Sequence, residues 1–152
     1  MPHVPPRPRA PVADLAPDRP TAATTGSRLF LFTLRRMASA GVDDAHAANA
    51  LLGHFGKSYR RPLILMRAMM LELSRASHRR ISVAACCCTR ITPDEARLLE
   101  AVATAQTTPH AAYERLAVAL DSPAALGALT CAQAVAQSFS DLGRPIALYA
   151  GD

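Results

Sequence analysis

From residue 27 onward, apolar side chains recur at intervals of three and four, the spacing of one helix face, and polar punctuation separates the runs. Phe30, Leu34, Met37 and Ala38 predict a first helix from a Ser27 cap to Ala40, ended by Gly41 in the left-handed conformation. Asp43 or Asp44 opens a second, with Ala47, Ala48, Leu51, Leu52 and Phe55 on one face and Gly56 at its end. Pro62 sits near the start of a third, where a proline sacrifices no intrahelical bond. That helix runs to Ser77, and Leu63, Ile64, Leu65, Met66, Met69, Met70, Leu71 and Leu73 surround most of its circumference. A helix this apolar is expected to be central, with neighbours on several sides.

Residues 80–91 break the helical period. Ile81, Val83 and Ala85 alternate with Arg80, Ser82 and Ala84, and Cys86, Cys87 and Cys88 follow. A single strand with no partner is unstable, so this stretch is expected to be a buried extended connector. Thr92, Pro93 and Glu95 then spell a capping box with proline in the first turn, and Leu98, Leu99 and Val102 form the next apolar face. Thr108 and Pro109 repeat the device ahead of Tyr113, Leu116, Ala117 and Leu120, and Asp121 and Pro123 stop that helix. Thr130 is expected to open the last helix, with Ala132, Val135, Ala136, Phe139 and Leu142 inward and Gly143 at its end. The fold expected is all-α: a compact bundle of about six helices around a central apolar helix, with one extended Cys-bearing connector.

Composition agrees with that reading. Tryptophan is absent and aromatics make up 5% of the chain, so the core must rest on Leu, Met, Val and Ala, which suits close helix packing. Residues 1–27 hold seven prolines and few large apolar side chains, too little to offset the entropy of ordering, and are expected to be a disordered leader. The helical domain is placed at 28–146 and a flexible tail at 147–152. The most apolar stretch, Pro62 to Leu73, is shorter than the roughly 20 residues a membrane span needs, and the N-terminus lacks a secretory apolar segment. A cytoplasmic location, with the cysteines as thiols or metal ligands, is the expectation.

Charge is unevenly placed within a net +5. Residues 28–90 carry eleven basic side chains against three acids, and residues 91–152 carry three against seven. The basic middle would attract an acidic partner, nucleic acid or the acidic end of its own chain. Arg35, Arg36, Lys57, Arg60, Arg61, Arg79 and Arg80 form the candidate partner surface, with the Arg35–Arg36 doublet expected on a solvated face. Lys57, Arg60, Arg61 and Arg67 mark the start of the third helix, where cations oppose the helix dipole; an exposed loop and an anion site are the two readings. Nucleic acid is not favoured, because the helix that would enter a groove is almost wholly apolar. Apolar coverage on the third helix leaves room for a homodimer.

The cysteine run is the one chemically unusual feature. On an extended chain Cys86 and Cys88 share a face and Cys87 opposes them. Three readings stand: small buried apolar side chains, a zinc or other soft-metal site in which Cys86 and Cys88 recruit Cys131, or a thiol site of Cys86, Cys87 and Cys88 beside Arg79, Arg80 and Arg90. His54, His78 and His110 are candidate donors or bases, and spacing selects none of them. No phosphate loop, paired-histidine metalloprotease motif or serine elbow is present, so no catalytic residue is named and no cofactor is expected beyond that soft metal.

Arg28-Leu29-Phe30-Leu31-Phe32, Arg35-Arg36-Met37, Asp43-Asp44-Ala45, Phe55-Gly56, Arg60-Arg61-Pro62-Leu63 and above all Ala85-Cys86-Cys87-Cys88-Thr89-Arg90-Ile91-Thr92 carry a resemblance. The chain resembles a small alphaproteobacterial domain-of-unknown-function family over about residues 27–146, through Asp141-Leu142-Gly143-Arg144-Pro145. The resemblance implies a bacterial cytoplasmic setting and brings no activity, cofactor or catalytic residue. A non-enzymatic helical interaction or regulatory protein with an unidentified protein partner is therefore the expected function. The alternative is a cysteine-based metal-binding or thiol redox-sensing protein.

Overall fold

A computed structural model describes residues 24–86 and 88–148. Among them six α-helices and no strand are found: α1 (Thr25–Ala40), α2 (Ala45–Phe55), α3 (Arg60–Ala76), α4 (Pro93–Thr104), α5 (Pro109–Leu120) and α6 (Leu126–Asp141), with a 3-10 turn at Gly56–Ser58. The all-α bundle holds. Most of the expected leader, its residues 1–23, lies outside the described residues, as do Cys87 and residues 149–152 of the tail. No helix among the described residues is long and apolar enough to cross a membrane.

The first helix begins earlier than the sequence suggests, and its cap differs. Thr24, not Ser27, is the N-cap: its hydroxyl accepts from Ser27 N at 3.1 Å. Ser27 is fully buried and serves the other end of the chain. Its hydroxyl donates to the Ala147 carbonyl at 2.6 Å and accepts from Ala147 N at 3.0 Å. The C-terminal stretch is thereby strapped across the first turn of α1, where a Cβ on Gly26 would collide with the Arg144 and Pro145 carbonyls. Thr24 to Ser27 form the cap and first turn of α1, and Ala147 is hydrogen-bonded to that turn.

Other caps divide the same way. Asp44 caps α2 through Ala47 N at 2.9 Å, and the capping box at Thr92 and Glu95 forms with both bonds present. Gly41 ends α1 with φ +99° and ψ 161°, a positive-φ conformation outside the left-handed helical well. Thr108 takes the N-cap position of α5 ahead of Pro109 as expected, though its hydroxyl makes no capping bond, and Thr130 lies inside α6, donating to the Leu126 carbonyl at 3.0 Å. A cap is a matter of hydroxyl geometry, and threonine inside a helix can satisfy itself on the preceding turn.

The core joins all six helices. Phe30, Leu34 and Met37 of α1 meet Met66, Met69 and Leu73 of α3, with Leu98 and Val102 of α4, Leu116 and Leu120 of α5 and Val135 and Phe139 of α6 completing it. Phe55 of α2 packs edge-on against Phe139, ring centres 5.2 Å apart. The third helix packs most extensively on α6 and also on α1 and α2, but it is not enclosed. Ile64, Ala68 and Leu71 lie along its outer side, with Ile64 61% and Leu71 57% exposed. Leu52 of α2, expected inward, is also exposed.

Candidate functional site: the cysteine connector and its cleft

The connector between α3 and α4 is irregular, and the first turn of α4 secures it. Ile81 and Val83 lie half-buried against the core and Ile91 is buried. Asp94 accepts from Ser82 N at 2.7 Å, pairs with Arg79 and receives Arg97 at 3.2 Å. Thr92 donates its hydroxyl to the Ser82 carbonyl at 2.7 Å while capping α4. Two acids at a helix N-terminus favour the helix dipole, and here they also pin a segment with no regular hydrogen bonding of its own.

Arg35 reaches the cysteines from α1. It is 5% exposed, and its partner Glu95 is fully buried. The guanidinium donates to Glu95 Oε2 from Nε at 2.6 Å and to Oε1 from Nη2 at 3.1 Å. Its remaining donors take three connector carbonyls: Arg90 at 2.8 Å, Cys88 at 2.8 Å and Ala85 at 3.4 Å. An arginine has five N–H donors, and all five are placed. The Glu95 carboxylate also accepts from Thr92 N at 2.9 Å, so one pair of charges anchors the cysteine turn and the start of α4 together.

Cys88 N donates to the Ala85 carbonyl at 3.0 Å, which closes a turn over the cysteines rather than leaving the chain extended. Cys86 is half-buried and Cys88 exposed, so the expectation of buried apolar cysteines fails for Cys88: a turn held by its carbonyls turns side chains outward. Both line an open cleft of about 570 Å³ with Arg28, Phe32, Ala50 and His54. His54 bonds through Nδ1 to the Ala50 carbonyl at 3.0 Å; a carbonyl only accepts, so Nδ1 carries the proton and Nε2 is the nitrogen left to receive one. Arg36 makes a two-bond fork to Asp44 at 2.9 and 2.8 Å, with Cys86 nearby. That fork, then the Asp44 charge, raise the Arg36 pKa above its ordinary value, with Cys86 a smaller contributor. The same fork lowers Asp44 to about 2, aided by Ala47 N and opposed by burial.

The three-sulfur metal set is not assembled. Cys86 and Cys88 line the cleft, whereas Cys131 sits on α6 and senses Glu72 of α3. Among the described residues no three His, Cys, Asp or Glu side chains come together as a metal-holding group. Burial, and then the Glu72 charge, push the Cys131 thiol up. His78 lies exposed past α3, its backbone N–H on the Leu120 carbonyl, and His110 faces Glu114 at 3.2 Å on the surface of α5. Of the candidate histidines, only His54 lines the cysteine cleft.

The basic surface is likewise redistributed. Arg35 is buried, so it leaves the surface set and the solvated-face reading of the doublet fails for it. Arg79 pairs with Asp94, and Arg61 stands 3.8 Å from Asp141. With Arg35 and Glu95 these pairs join the basic middle of the chain to its acidic end, the intramolecular outcome among those that the charge asymmetry allows. Lys57, Arg60 and Arg80 remain exposed. A family model, described as a family of unknown function, matches residues 13–147. No curated protein and no solved structure matches the chain.

Proposed function

Because the chain belongs to DUF6628, a family that carries no assigned activity, we propose from the site alone that the protein is a non-enzymatic regulator whose Cys86–Cys88 turn responds to oxidants. One observation carries this reading: two thiols two residues apart line the same open cleft, on a turn that a buried arginine holds by its carbonyls.

A hydroperoxide supplies the oxidising equivalents. The Cys88 thiolate attacks the outer peroxide oxygen, the O–O bond breaks, and the departing oxygen leaves as water or an alcohol after taking a proton. The resulting sulfenic acid on Cys88 is attacked by the Cys86 sulfur, and a second water departs. Two thiols lose two electrons and two protons, and the peroxide is reduced by two electrons. A turn shortens the separation of residues 86 and 88, and a disulfide needs Cα atoms roughly 4.4–6.8 Å apart. Closing that small ring shifts the Cys88 carbonyl, which Arg35 holds, and so loosens the anchor it shares with α4. A protein partner would read that change.

Cleavage after Arg80 and Arg90 releases residues 81–90, which hold all three adjacent cysteines. After treatment of the reduced full chain with a small excess of hydrogen peroxide, mass spectrometry of that peptide should show the loss of two hydrogens. The bridge should persist in Cys87→Ser and vanish in Cys86→Ser and Cys88→Ser. Hydrogen exchange at the start of α4 should quicken with bridge formation. If the folded Cys87→Ser protein forms no bridge, or forms it with no change in exchange at α4, the proposal fails.

A further inference from the structure

Upstream of the cysteine turn the connector presents an open backbone edge. Residues 81–85 run without a bend or turn between α3 and α4. On an extended chain the N–H and C=O of one residue point to the same edge, and those of its neighbours point to the other. Ser82 follows that rule: its N–H goes to Asp94 and its carbonyl receives the Thr92 hydroxyl, so both face the start of α4. Ile81, Val83 and Ala85 therefore present their polar groups to the opposite edge, where Arg35 of α1 reaches the Ala85 carbonyl. Among the described residues no hydrogen bond reaches the backbone of Ile81 or Val83. Two adjoining clefts, of about 320 and 440 Å³, lie between this stretch and α1, and Ala38, Arg80, Ile81 and Val83 line both. Leu34, Leu73 and Leu98 give the first an apolar wall. No acid lines either cleft. Arg35 and Arg79 are balanced by Glu95 and Asp94, whereas Arg80 is exposed and pairs with no acid among the described residues.

We infer that this edge binds an extended segment of a partner protein as an added strand, with apolar side chains at alternate positions and an acidic residue beside Arg80. An unpaired strand edge is a template for another chain. Main-chain bonds to Ile81 and Val83 supply affinity, and a cleft that takes alternate side chains supplies specificity. A helical partner could not use these backbone groups, because its own are closed within it. A second copy of the connector is the poorer occupant, since it brings its own Arg79 and Arg80 to a positive groove. The inference goes beyond the oxidant response and does not depend on it: the edge is open in the reduced chain.

The test pans a random peptide library displayed on phage against the reduced full chain, and then follows the enriched peptide, made synthetically, by calorimetry and amide exchange. Enriched sequences should alternate apolar residues and carry at least one acid. On binding, exchange at the Ile81 and Val83 amides should slow at least tenfold, while Ser82, already bonded to Asp94, should change little. Methylating the peptide nitrogens one at a time should weaken binding at least tenfold at alternate positions and little at those between. Arg80→Ala should keep the native thermal midpoint and weaken binding at least tenfold, and Lys57→Ala should leave it unchanged. No enriched peptide, binding indifferent to methylation at every position, or unchanged exchange at Ile81 and Val83 would overturn the inference. So would slowing of those two amides by self-association of the chain without peptide, which would give the edge to a second copy.

Discussion

Arg35 and Glu95, sixty positions apart in the chain, face each other through hydrogen bonds of 2.6 and 3.1 Å where both are buried. The pair does more than neutralise itself: the arginine holds the carbonyls of Ala85, Cys88 and Arg90, and the glutamate holds Thr92 N. Glu95→Gln would leave the guanidinium buried without its counter-charge, a change that typically costs about 3–5 kcal/mol. An ordinary buried pair can be replaced by two apolar residues at little cost. Here Arg35→Met with Glu95→Met should remain destabilised, because the Cys88 and Arg90 carbonyls and the Thr92 amide lose their partners. Urea denaturation of the two variants checks both statements. Full recovery in the double variant would show that the carbonyl contacts carry no weight.

Two glycines in close contacts should respond in opposite ways. A Cβ at Gly26 meets the backbone carbonyls of Arg144 and Pro145, which cannot move without lifting the strap that Ser27 and Thr24 hold. Gly26→Ala should cost about 1–3 kcal/mol, the usual range for overpacking. The atoms nearest a Cβ at Gly127 belong to the side chain of Glu72, which is flexible and bound to Arg75 on the same helix. Gly127→Ala gains up to about 1 kcal/mol in helix propensity, which offsets the displacement of Glu72. Its denaturation midpoint should stay near that of the native protein, and a loss as large as that of Gly26→Ala would refute this comparison.

Acid sensitivity follows from the Arg36–Asp44 fork. The folded value of Asp44, about 2, lies below its ordinary 3.8, so the folded state binds this proton less readily than the unfolded chain. Its contribution to stability is complete above the unfolded value and is lost as pH falls from about 4 toward 2. Arg75 lowers Glu72 as well, so Asp44 supplies only part of the acid sensitivity. Asp44→Asn keeps an N-cap acceptor without the titratable charge. Denaturation midpoints measured from pH 5 down to pH 2 should therefore fall less steeply in the variant than in the native protein. Equal slopes would show that the fork is not coupled to folding.

Helix existence was legible because periodicity and capping are local. The Thr92–Glu95 capping box and the Asp44 cap follow from short-range spacing, and both form. What eluded the sequence is long-range. Nothing in the spacing of Arg35 shows that it points inward, since a doublet of arginines at a helix surface has the same signature. Its burial depends on Glu95 and on carbonyls fifty to sixty positions away. The pairing of His54 with the cysteine cleft depends likewise on how α2 packs beside α1. The exposed Ile64 and Leu71 show the opposite failure: apolar composition alone does not say which side of a helix finds a neighbour.

The cysteines should separate by labelling rate. Cys88 is exposed on the turn, while Cys131 is half-buried on α6 with its thiol pushed up by burial and by the Glu72 charge. Thiolate is the reacting form, so each unit of raised pKa slows labelling near neutral pH by roughly tenfold. With the native fold intact at pH 7.5, a small maleimide should modify Cys88 well before Cys131. Denaturant should bring the two rates together, because burial is the larger cause of the difference. Glu72→Gln should quicken Cys131 by a smaller factor, since it removes only the second cause, and should leave Cys88 unchanged. Should Cys131 in the folded protein react as fast as Cys88, the two environments are not chemically distinct, and the cleft cysteines lose their claim to be the responsive thiols.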